Sequence, residues 1–382
     1  MKIAFLDTSN YVDYPIGGQL TSVRRMLEAF LQYEDVELLL IGIRKENDEN
    51  LDYVLIKDKK IPFISVYVDS NNPDNPQKSL RMNFMKGLLG KSGTIRRQKA
   101  DVFFLQSPES FLPVRLMFPF TKIATFSHGS FYNIFNHIRF QNMRKGMVRL
   151  LLKRYLDTVV RKSNVIFVLD KQSVNEYTPY NRNVIKVTNS IDISKFRIPE
   201  KTGYLKRAVF VGRLSANKRV DIIIRAVAEV DGISLDIYGT GEEYSRLEET
   251  ISELNVSSRV LLKGAVDNEK IVEVLPDYDV LIMNSIVEGM PMVILEAMAA
   301  GLAVISTRVG AVDEIIIEGE NGIFTDGSYK NIAEAIRKLG TGDIAGIRER
   351  NRACAAKFDY HTNIQQIYSA LKQIIYNTDS GL

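Results

Sequence analysis

The chain has 382 residues, of which 45% are apolar and 25% are charged, as in an ordinary globular protein. This length exceeds one typical domain and predicts two. The single cysteine, Cys354, excludes an internal disulfide and favours a reducing compartment. No apolar run reaches the ~20 residues that span a bilayer. Because Met1–Leu6 has a strand pattern rather than a signal-peptide pattern, the sequence predicts a cytoplasmic protein.

The net charge of +4 is unevenly distributed along the chain. Residues 1–190 contain 28 basic and 18 acidic side chains, whereas residues 191–382 contain 22 and 28. Segments 78–99 and 139–162 mix basic with apolar and aromatic residues. This mixture suits peripheral contact with an anionic membrane, as at the inner face of the cell membrane; the alternative is a solvated helix face over the domain's own core. No recognition motif accompanies the charge, so we expect no nucleic-acid partner.

In chain order, short apolar runs alternate with amphipathic segments. The first half predicts strands at Lys2–Leu6, Val36–Gly42, Ile61–Val68, Asp101–Leu105, Lys122–Phe126, Asn164–Leu169 and Val184–Val187, with helices at Gln19–Tyr33 and Lys145–Lys162. The second half predicts strands at Ala208–Val211, Ser234–Tyr238, Val260–Leu262, Asp279–Met283 and Ala303–Ser306, with helices at Val220–Val230, Glu242–Leu254, Glu269–Leu275 and Met292–Ala300. Such alternation predicts parallel sheets covered by helices on both faces.

Two alternating units in series predict two doubly wound, Rossmann-like α/β domains. We expect the break near Ile191–Leu205, where Pro199 and Gly203 interrupt the periodicity. The predicted domains are therefore 1–190 and 191–358. A ligand of such a protein binds at the carboxyl ends of the strands, in the cleft between the domains.

Two cations follow the first strand of the second domain. That strand ends at Gly212, and Arg213 and Lys218 follow before the next helix begins. One arginine can bind two phosphate oxygens at once, and lysine adds a mobile point charge. This placement predicts a clamp for a diphosphate; the alternative is a pair of surface cations.

A carboxylate stands on the apolar helix that follows the strand Asp279–Met283. Pro291 suits the first turn of this helix, and Glu296 is its one charged residue. A carboxylate on a buried helix is costly unless something binds it. Ribose hydroxyls are candidate partners, because an ionised carboxylate only accepts hydrogen bonds. The alternative is a structural ion pair with a buried arginine.

The loop before this helix adds further candidates. Glu288 lies in the loop, and the backbone amides of Gly289, Met290 and Met292 lie where a helix N-terminus can bind ligand oxygens.

Together, Arg213 and Lys218, followed by Glu288 and Glu296 with seven residues between the glutamates, resemble the signature of the family-4 retaining glycosyltransferases of glycosyl transferases group 1. The resemblance implies the GT-B fold, in which two Rossmann-like domains face each other across the active-site cleft. It also implies an acceptor-binding domain over 1–190, rejoined by a C-terminal helix within 359–382, and a donor-binding domain over 191–358.

Other segments resemble further family elements. Asp236–Glu242, with Gly239, resembles the glycine turn of the second donor-domain strand, and Gly264–Val266, with Val266, resembles the loop beside the nucleotide base. Asn189–Asp192, with Ser190 in place of glycine, resembles the inter-domain element. Gly17–Gly18 resembles the glycine loop near the donor diphosphate.

The resemblance also implies roles for the site residues. Arg213 and Lys218 would neutralise the leaving diphosphate, and Glu296 would bind the ribose. Glu288, with the amides of Gly289 and Met290, would contact the transferred sugar.

His128 follows a predicted first-domain strand and resembles the family's active-site histidine near the anomeric centre. A single histidine is otherwise more often structural, and its position at a strand's carboxyl end favours the functional interpretation.

The activity implied is transfer of a sugar from a nucleoside-diphosphate sugar, with retained configuration, to a saccharide or lipid-linked saccharide acceptor in surface polysaccharide or glycolipid biosynthesis. Asp277-Tyr278-Asp279 has the spacing of a metal-binding Asp-x-Asp, but it opens a strand at the end opposite the expected cleft. We therefore expect no metal and no cofactor. Alternatives are a nucleotide-sugar epimerase of the same fold and a non-catalytic nucleotide-sugar-binding partner. The base, sugar, acceptor and linkage are not evident from the sequence.

Overall fold

The protein is described by a computed structural model. The described residues are 1–14, 18–46, 52–69, 80–135, 146–188, 191–197, 205–267, 270–358 and 360–376. The chain forms two compact units, one of Met1–Thr188 with His361–Leu382 and one of Asn189–Tyr360. Each unit contains a largely parallel sheet covered by helices, so the predicted pair of α/β domains is confirmed.

The first unit is built on an eight-stranded sheet. Its strands are β1 (Lys2–Leu6), β2 (Glu37–Lys45), β3 (Tyr53–Ile56), β4 (Lys59–Asp69), β5 (Val102–Leu105), β6 (Lys122–Ser127), β7 (Val165–Val168) and β8 (Val184–Lys186). They lie in the order β3-β4-β2-β1-β5-β6-β7-β8. The register places Phe5 of β1 between Leu40 of β2 and Phe104 of β5. These central strands are almost wholly buried, as expected where helices cover both faces.

The strand β3 departs from the predicted parallel sheet. It pairs with β4 in antiparallel register, from Tyr53 opposite Pro62 to Ile56 opposite Lys59. Lys57 and Asp58 connect the two strands with φ values of 44° and 62°. Positive φ at both central residues is typical of a type I′ hairpin turn. The first sheet is therefore mixed at this edge, whereas its other described strand pairs are parallel as predicted.

Within the described residues, six α-helices lie between the strands of the first unit. They are α1 (Gly18–Phe30), α2 (Leu80–Gly90), α3 (Ser92–Arg97), α4 (Phe111–Met117), α5 (Met147–Lys162) and α6 (Lys171–Tyr177). Asp170 begins α6 by accepting a hydrogen bond from the Ser173 amide at 2.7 Å, which satisfies one of the free amides of the first turn.

The second unit is built on a six-stranded parallel sheet. Its strands are β9 (Arg207–Val211), β10 (Ser234–Tyr238), β11 (Val260–Gly264), β12 (Val280–Met283), β13 (Ala303–Thr307) and β14 (Gly322–Thr325). They lie in the order β11-β10-β9-β12-β13-β14. From β9 the chain adds β10 and β11 on one side of the sheet, and from β12 it adds β13 and β14 on the other side. The order of strands therefore reverses between β9 and β12, although all six strands are parallel. In open α/β sheets, ligands bind beyond the strand carboxyl ends at this switch point.

The helices of the second unit follow its strands. They are α7 (Val220–Ala228), α8 (Tyr244–Glu253), α9 (Ile271–Val274), α10 (Met292–Ala299), α11 (Tyr329–Gly340) and α12 (Ile344–Ala355). A last helix, α13 (Tyr360–Tyr376), follows, and residues from His361 onward belong to the first unit.

Contacts between α13 and the segment that joins α1 to β2 tie this last helix to the first unit. The Tyr33 and Tyr368 rings stack with centroids 3.9 Å apart and an interplanar angle of 8°. The Tyr368 hydroxyl donates to Asp35 Oδ1 at 2.8 Å, and Lys372 Nζ lies 3.3 Å from Asp35 Oδ2. The first unit is therefore assembled from two separate stretches of sequence.

Candidate functional site

Three loops meet at the carboxyl ends of β9, β10 and β11. The Gly212 amide donates to the Tyr238 carbonyl at 3.0 Å, and the Leu214 amide donates to the Thr240 carbonyl at 2.9 Å. The Gly239 amide donates to the Gly264 carbonyl at 2.7 Å. The loops of three neighbouring strands are thus joined by backbone hydrogen bonds, which gives the site a fixed floor.

Gly239 is required by the close approach of two of these loops. Its φ is +147°, and a Cβ at this position would lie 1.9 Å from the Gly212 carbonyl oxygen. No side chain fits at that distance, so only glycine permits the contact. The predicted glycine turn therefore serves backbone packing beside the predicted cation loop.

Arg213 projects from the loop after β9. Its guanidinium Nη2 lies 3.1 Å from Glu242 Oε2, and its side chain is 56% exposed. Sequence reasoning named Glu242 only as the end of the glycine turn and missed this pairing. The backbone bond from Leu214 to Thr240 explains it, because it brings Glu242 to the arginine.

Lys218 and Glu288 form an ion pair between the loops that follow β9 and β12. Their side chains are 21% and 16% exposed, so the pair is better shielded from solvent than the Arg213 pair. Asn217 sets the distance between the loops. Its Nδ2 donates to the Val287 carbonyl at 3.0 Å, and its own carbonyl accepts from the Ile286 amide at 2.9 Å. The structure therefore brings together two residues that the sequence predicted from separate motifs.

The helix α10 begins directly behind this loop. Pro291 has an extended ψ of 118° and precedes the helix at its N-cap rather than lying in the predicted first turn, and Met290 and Met292 are buried on either side. The Gly289 carbonyl accepts from the Ala311 amide at 2.8 Å, which anchors the loop to the residues after β13. Glu296 is only 6% exposed within a helix whose other buried residues are all apolar. A buried carboxylate at this place can accept hydrogen bonds from a bound hydroxyl.

The other predicted donor-side positions are scattered more widely. Val266 lies beyond the end of β11 and is partly exposed. Gly18 begins α1 in the first unit, after β1. Gly17 lies outside the described residues.

His128 directly follows β6, at the carboxyl end of the first sheet. Its Nε2 lies 3.0 Å from Gln106 Oε1, and its ring lies 4.7 Å from the Phe126 ring. Burial lowers the pKa of His128 to about 3, so the ring is neutral near pH 7. Sequence reasoning missed Gln106, although that residue directly follows β5, the neighbouring strand. A neutral amide partner stabilises a neutral imidazole and orients it for hydrogen bonding.

The Asp-x-Asp segment lies at the opposite, amino end of the second sheet. Asp277 forms an ion pair with Arg197. Asp279 Oδ2 accepts from the amides of Lys206 and Arg207, each at 2.9 Å, and Oδ1 accepts from Arg348 at 2.6 Å. These bonds fasten the start of β9 to the start of β12. Among the described residues, no group of three or more His, Cys, Asp and Glu side chains is arranged to hold a metal ion.

Solved structures share this architecture over nearly the whole chain. Sucrose-phosphate synthase from Thermosynechococcus elongatus superposes with a TM-score of 0.83 at 16% identity, covering 99% of this chain and 100% of that one. Anabaena HepE in complex with UDP-glucose superposes with a TM-score of 0.75 at 18% identity, covering 98% and 100%. At these identities the likeness concerns the fold, and it defines the protein as one of the GT-B class of glycosyltransferase folds.

Sequence comparison finds similar proteins mainly for the second half of the chain. Residues 192–375 match the family described as glycosyl transferases group 1. The lipopolysaccharide core biosynthesis glycosyltransferase LpsE of Rhizobium meliloti is 35% identical over 130 residues, which are 34% of this chain and 38% of LpsE. The N-acetyl-alpha-D-glucosaminyl L-malate synthase of Bacillus anthracis is 28% identical over 197 residues, 47% of this chain and 51% of that protein. The matches thus span between a third and a half of these relatives. Residues 192–375, just under half of the chain, are thus similar to the group 1 glycosyltransferases.

Proposed function

We propose that this chain is a family-4 retaining glycosyltransferase that moves a sugar from a nucleoside-diphosphate sugar to a saccharide or lipid-linked saccharide. The observation that carries the proposal is the ion pair of Lys218 with Glu288 at the switch point of the second sheet. It places a cation and a carboxylate from two loops where ligands of this fold class bind. The UDP-glucose complex of HepE, a protein of the same fold, supports a donor of this kind.

The second unit would hold the donor diphosphate through its two cations. Arg213 is paired with Glu242, and Lys218 is paired with Glu288. A diphosphate carries more charge than either carboxylate and can replace them as the partner of the cations. The cations then stabilise the charge that develops on the leaving group, which is usually the largest catalytic contribution at such sites. Glu288, once released, is available to accept hydrogen bonds from the sugar.

Glu296 would bind the ribose of the donor nucleotide. Its buried carboxylate lies on α10, whose N-terminus follows the Glu288 loop. Ribose hydroxyls would donate to this carboxylate, while the amides of Gly289, Met290 and Met292 would contact donor oxygens at the helix N-terminus.

His128 would act as a neutral hydrogen-bonding group. Its lowered pKa makes protonation near pH 7 unfavourable, and Gln106 is a partner that carries no charge. This arrangement suits the orientation of a sugar hydroxyl rather than charge transfer. Retention would then follow from attack by the acceptor on the same face as the departing diphosphate, without an obligatory covalent sugar intermediate and without a metal or other cofactor.

The first unit offers a surface for peripheral contact with an anionic membrane, which would give access to a lipid-linked acceptor. The first half of α5 exposes four apolar side chains among basic ones. These apolar side chains are Met147, Val148, Leu150 and Leu151. Beyond α4, Phe120 is 95% exposed. Apolar and basic side chains together are typical of helices that lie at a membrane surface. The predicted basic segments 78–99 and 139–162 lie partly outside the described residues, and none of the described helices has the length and apolar character needed to cross a bilayer.

Membrane contact of this kind is consistent with surface polysaccharide or glycolipid assembly, and the name of LpsE points to the same setting for that relative. Flotation with phosphatidylglycerol vesicles tests the surface. We expect Leu150→Ser with Leu151→Ser to weaken binding, and Leu55→Ser, at an exposed leucine of β3, to leave it unchanged. Equal binding by both variants and by the original chain would exclude α5 from the contact.

A panel of nucleotide sugars tests the donor proposal. A donor that binds the folded chain raises its melting temperature. The donor that gives the largest rise is then incubated with the chain, first alone and then with saccharide acceptors. We expect transfer or slow hydrolysis of the donor. Conversion of the donor into a stereoisomer without acceptor would identify an epimerase, and binding with neither hydrolysis nor transfer would identify a non-catalytic binding protein.

A further inference from the structure

A cavity lies at the carboxyl ends of β12, β13 and β14, and we call it the β13 pocket. It has a volume of about 650 Å³. Residues of the loop after β9, of the ends of these three strands and of the segment before β14 line it. The side chains that carry the argument below are Arg219, Ser285, Arg308, Glu318, Thr325 and Asp326. Arg213, Lys218, Glu288 and Glu296 are not among its lining residues.

Two buried hydroxyls in the β13 pocket lack partners. Ser285 Oγ and Thr325 Oγ1 have no hydrogen-bond partner among the described residues, and both side chains are more than nine-tenths buried. A buried hydroxyl without a partner is costly, and native structures usually satisfy it with a ligand or ordered water. Both residues line the same cavity, so one bound group can accept from both.

Arg308 is pre-oriented at the pocket by an aromatic ring. Its guanidinium carbon lies 3.8 Å from the centroid of the Phe324 ring. Arg308 forms no ion pair with any residue in the described parts of the chain. A stacked guanidinium keeps its fork of N–H donors in a fixed plane, which suits bidentate recognition of a carboxylate or phosphate.

Arg219 adds a second, tightly held cation. Its Nε donates to the Asn284 carbonyl at 3.0 Å, and its Nη2 donates to Asn284 Oδ1 at 3.1 Å. Gly327 makes room for it, because a Cβ there would lie 2.3 Å from Arg219 Nη2. The residue before Arg219 is Lys218, which pairs with Glu288 instead. The adjacent residues Lys218 and Arg219 therefore belong to different sites, Lys218 to the proposed donor site and Arg219 to the β13 pocket.

The two carboxylates at the pocket accept hydrogen bonds from backbone amides, and the Asp326 carboxylate also interacts with the charge of Arg219. Glu318 Oε2 accepts from the Phe324 amide at 2.8 Å, and Asp326 Oδ1 accepts from the Ser328 amide at 2.8 Å. Both side chains are exposed, whereas the hydroxyls are buried. The inner donors are thus two hydroxyls and two guanidinium groups, a set that is complementary to an oxyanion.

We propose that the β13 pocket binds an oxyanion, the phosphate or carboxylate group of a small molecule, at a site separate from the Arg213 and Lys218 cations. Arg308 and Arg219 neutralise the anion, and Ser285 and Thr325 donate their unused hydrogens to it. The proposal rests on residues outside the proposed donor site, so it stands or fails independently of that site.

Equilibrium dialysis with radiolabelled inorganic phosphate at fixed ionic strength tests the proposal. The chain with Arg213→Ala and Lys218→Ala lacks the other cationic site, and we expect it to keep one saturable phosphate site. Adding Arg308→Gln should weaken that site by about tenfold, as expected for the loss of one charge-assisted hydrogen bond. Thr325→Val keeps the shape of the side chain and should weaken it several-fold. Arg225→Ala, at an exposed arginine of α7, is the matched control and should change nothing.

Competition then identifies the anion's chemistry. Displacement of phosphate by glycerol 3-phosphate identifies a phosphate ester site, and displacement by malonate identifies a carboxylate site; both results support the proposal. Failure of both to compete overturns it. So does the absence of saturable phosphate binding in the Arg213→Ala and Lys218→Ala chain, or equal affinity in the Arg308→Gln, Thr325→Val and Arg225→Ala variants. Circular dichroism of each variant confirms that it is folded.

Discussion

The loops at the carboxyl ends of the strands differ between the two units in whether their candidate site residues are charged or neutral. In the second unit, Arg213 and Lys218 are charged and each is paired with a carboxylate. In the first unit, His128 is neutral and its partner Gln106 carries no charge. Paired, partly exposed charges can exchange one anion for another at modest cost, whereas buried neutral groups can only make or lose hydrogen bonds.

Both units have buried polar atoms that lack a hydrogen-bond partner among the described residues. In the segment after β5 of the first unit, these atoms are Gln106 Nε2, Ser107 Oγ, Glu109 Oε2 and Ser110 Oγ. Burial also raises the pKa of Asp7, which lies after β1 in the same unit. Under the proposed function, the cations of the second unit would face the diphosphate of the donor, and the neutral His128 would face a sugar hydroxyl.

The largest expected effect comes from removing a paired cation. We expect Lys218→Ala and Arg213→Ala each to lower kcat by about 10²–10³-fold, because each removes a cation that stabilises the negative charge of the leaving diphosphate. The fold should be kept, since the Arg213 side chain is 56% exposed and neither side chain belongs to the apolar core. Steady-state kinetics with the donor found in the nucleotide-sugar panel measure the loss, with Arg225→Ala as control. Near-normal turnover in either variant would remove the charged half of the comparison.

The next effect tests whether the charged loops depend on a fixed floor. Gly239→Ala would force a Cβ against the Gly212 carbonyl, so we expect destabilisation of more than about 1 kcal/mol and weaker donor binding. Gly340→Ala, at the end of α11, is the matched control, because a Cβ there would meet no other atom within 4 Å. Urea unfolding of both variants measures the change. A Gly239→Ala chain as stable as the control would show that the loops can move apart freely.

The neutral state of His128 makes a pH prediction. The ring titrates near 6.5 when unfolded and at about 3 when folded, so the unfolded chain binds more protons between these values. The contribution of His128 to stability is therefore present above pH 6.5 and falls by at most about 1.4 kcal/mol per pH unit as the pH drops toward 3. Comparison of urea unfolding for the original chain and His128→Gln measures this slope. Parallel pH profiles, or an imidazole resonance that titrates near pH 6.5 in the folded chain, would contradict a neutral His128.

The smallest effect sharpens the role of the paired carboxylates. Glu242→Gln removes the competitor for Arg213 and keeps the side-chain shape. Because exposed ion pairs contribute about 0.2–1 kcal/mol, we expect donor binding to tighten by up to a few-fold, most clearly at low salt. Calorimetric titration at two salt concentrations checks this. Weaker binding would mean that Glu242 contacts the ligand rather than opposing it.

The sequence predicted most strands because their apolar runs are long enough to bury. It missed β14, a four-residue strand that begins with Gly322 and has little apolar length. It missed β3 because Lys57 and Asp58 are not the residues that usually mark a two-residue hairpin turn. Local pattern therefore predicts central strands better than edge strands.

The site was predictable where one motif holds the residues and unpredictable where strand order does. Arg213, Lys218, Glu288 and Glu296 stand out because charge follows, or interrupts, an apolar run. The pairs of Arg213 with Glu242 and of His128 with Gln106 depend on which strands are neighbours in the sheet. Spacing along the chain does not contain that information.

The attachment of α13 to the first unit has a consequence for biosynthesis. Four apolar side chains of this helix are buried: Ile364, Ile367, Ala370 and Leu371. The ribosome completes the first unit's sheet roughly 10–40 s before it adds these residues, given a synthesis rate of about 5–20 residues per second. During that interval the surface around Tyr33 and Asp35, which α13 contacts through Tyr368 and Lys372, is uncovered in the nascent chain. Only the later synthesis of α13 supplies the helix that covers it, so the unit that is translated first matures last.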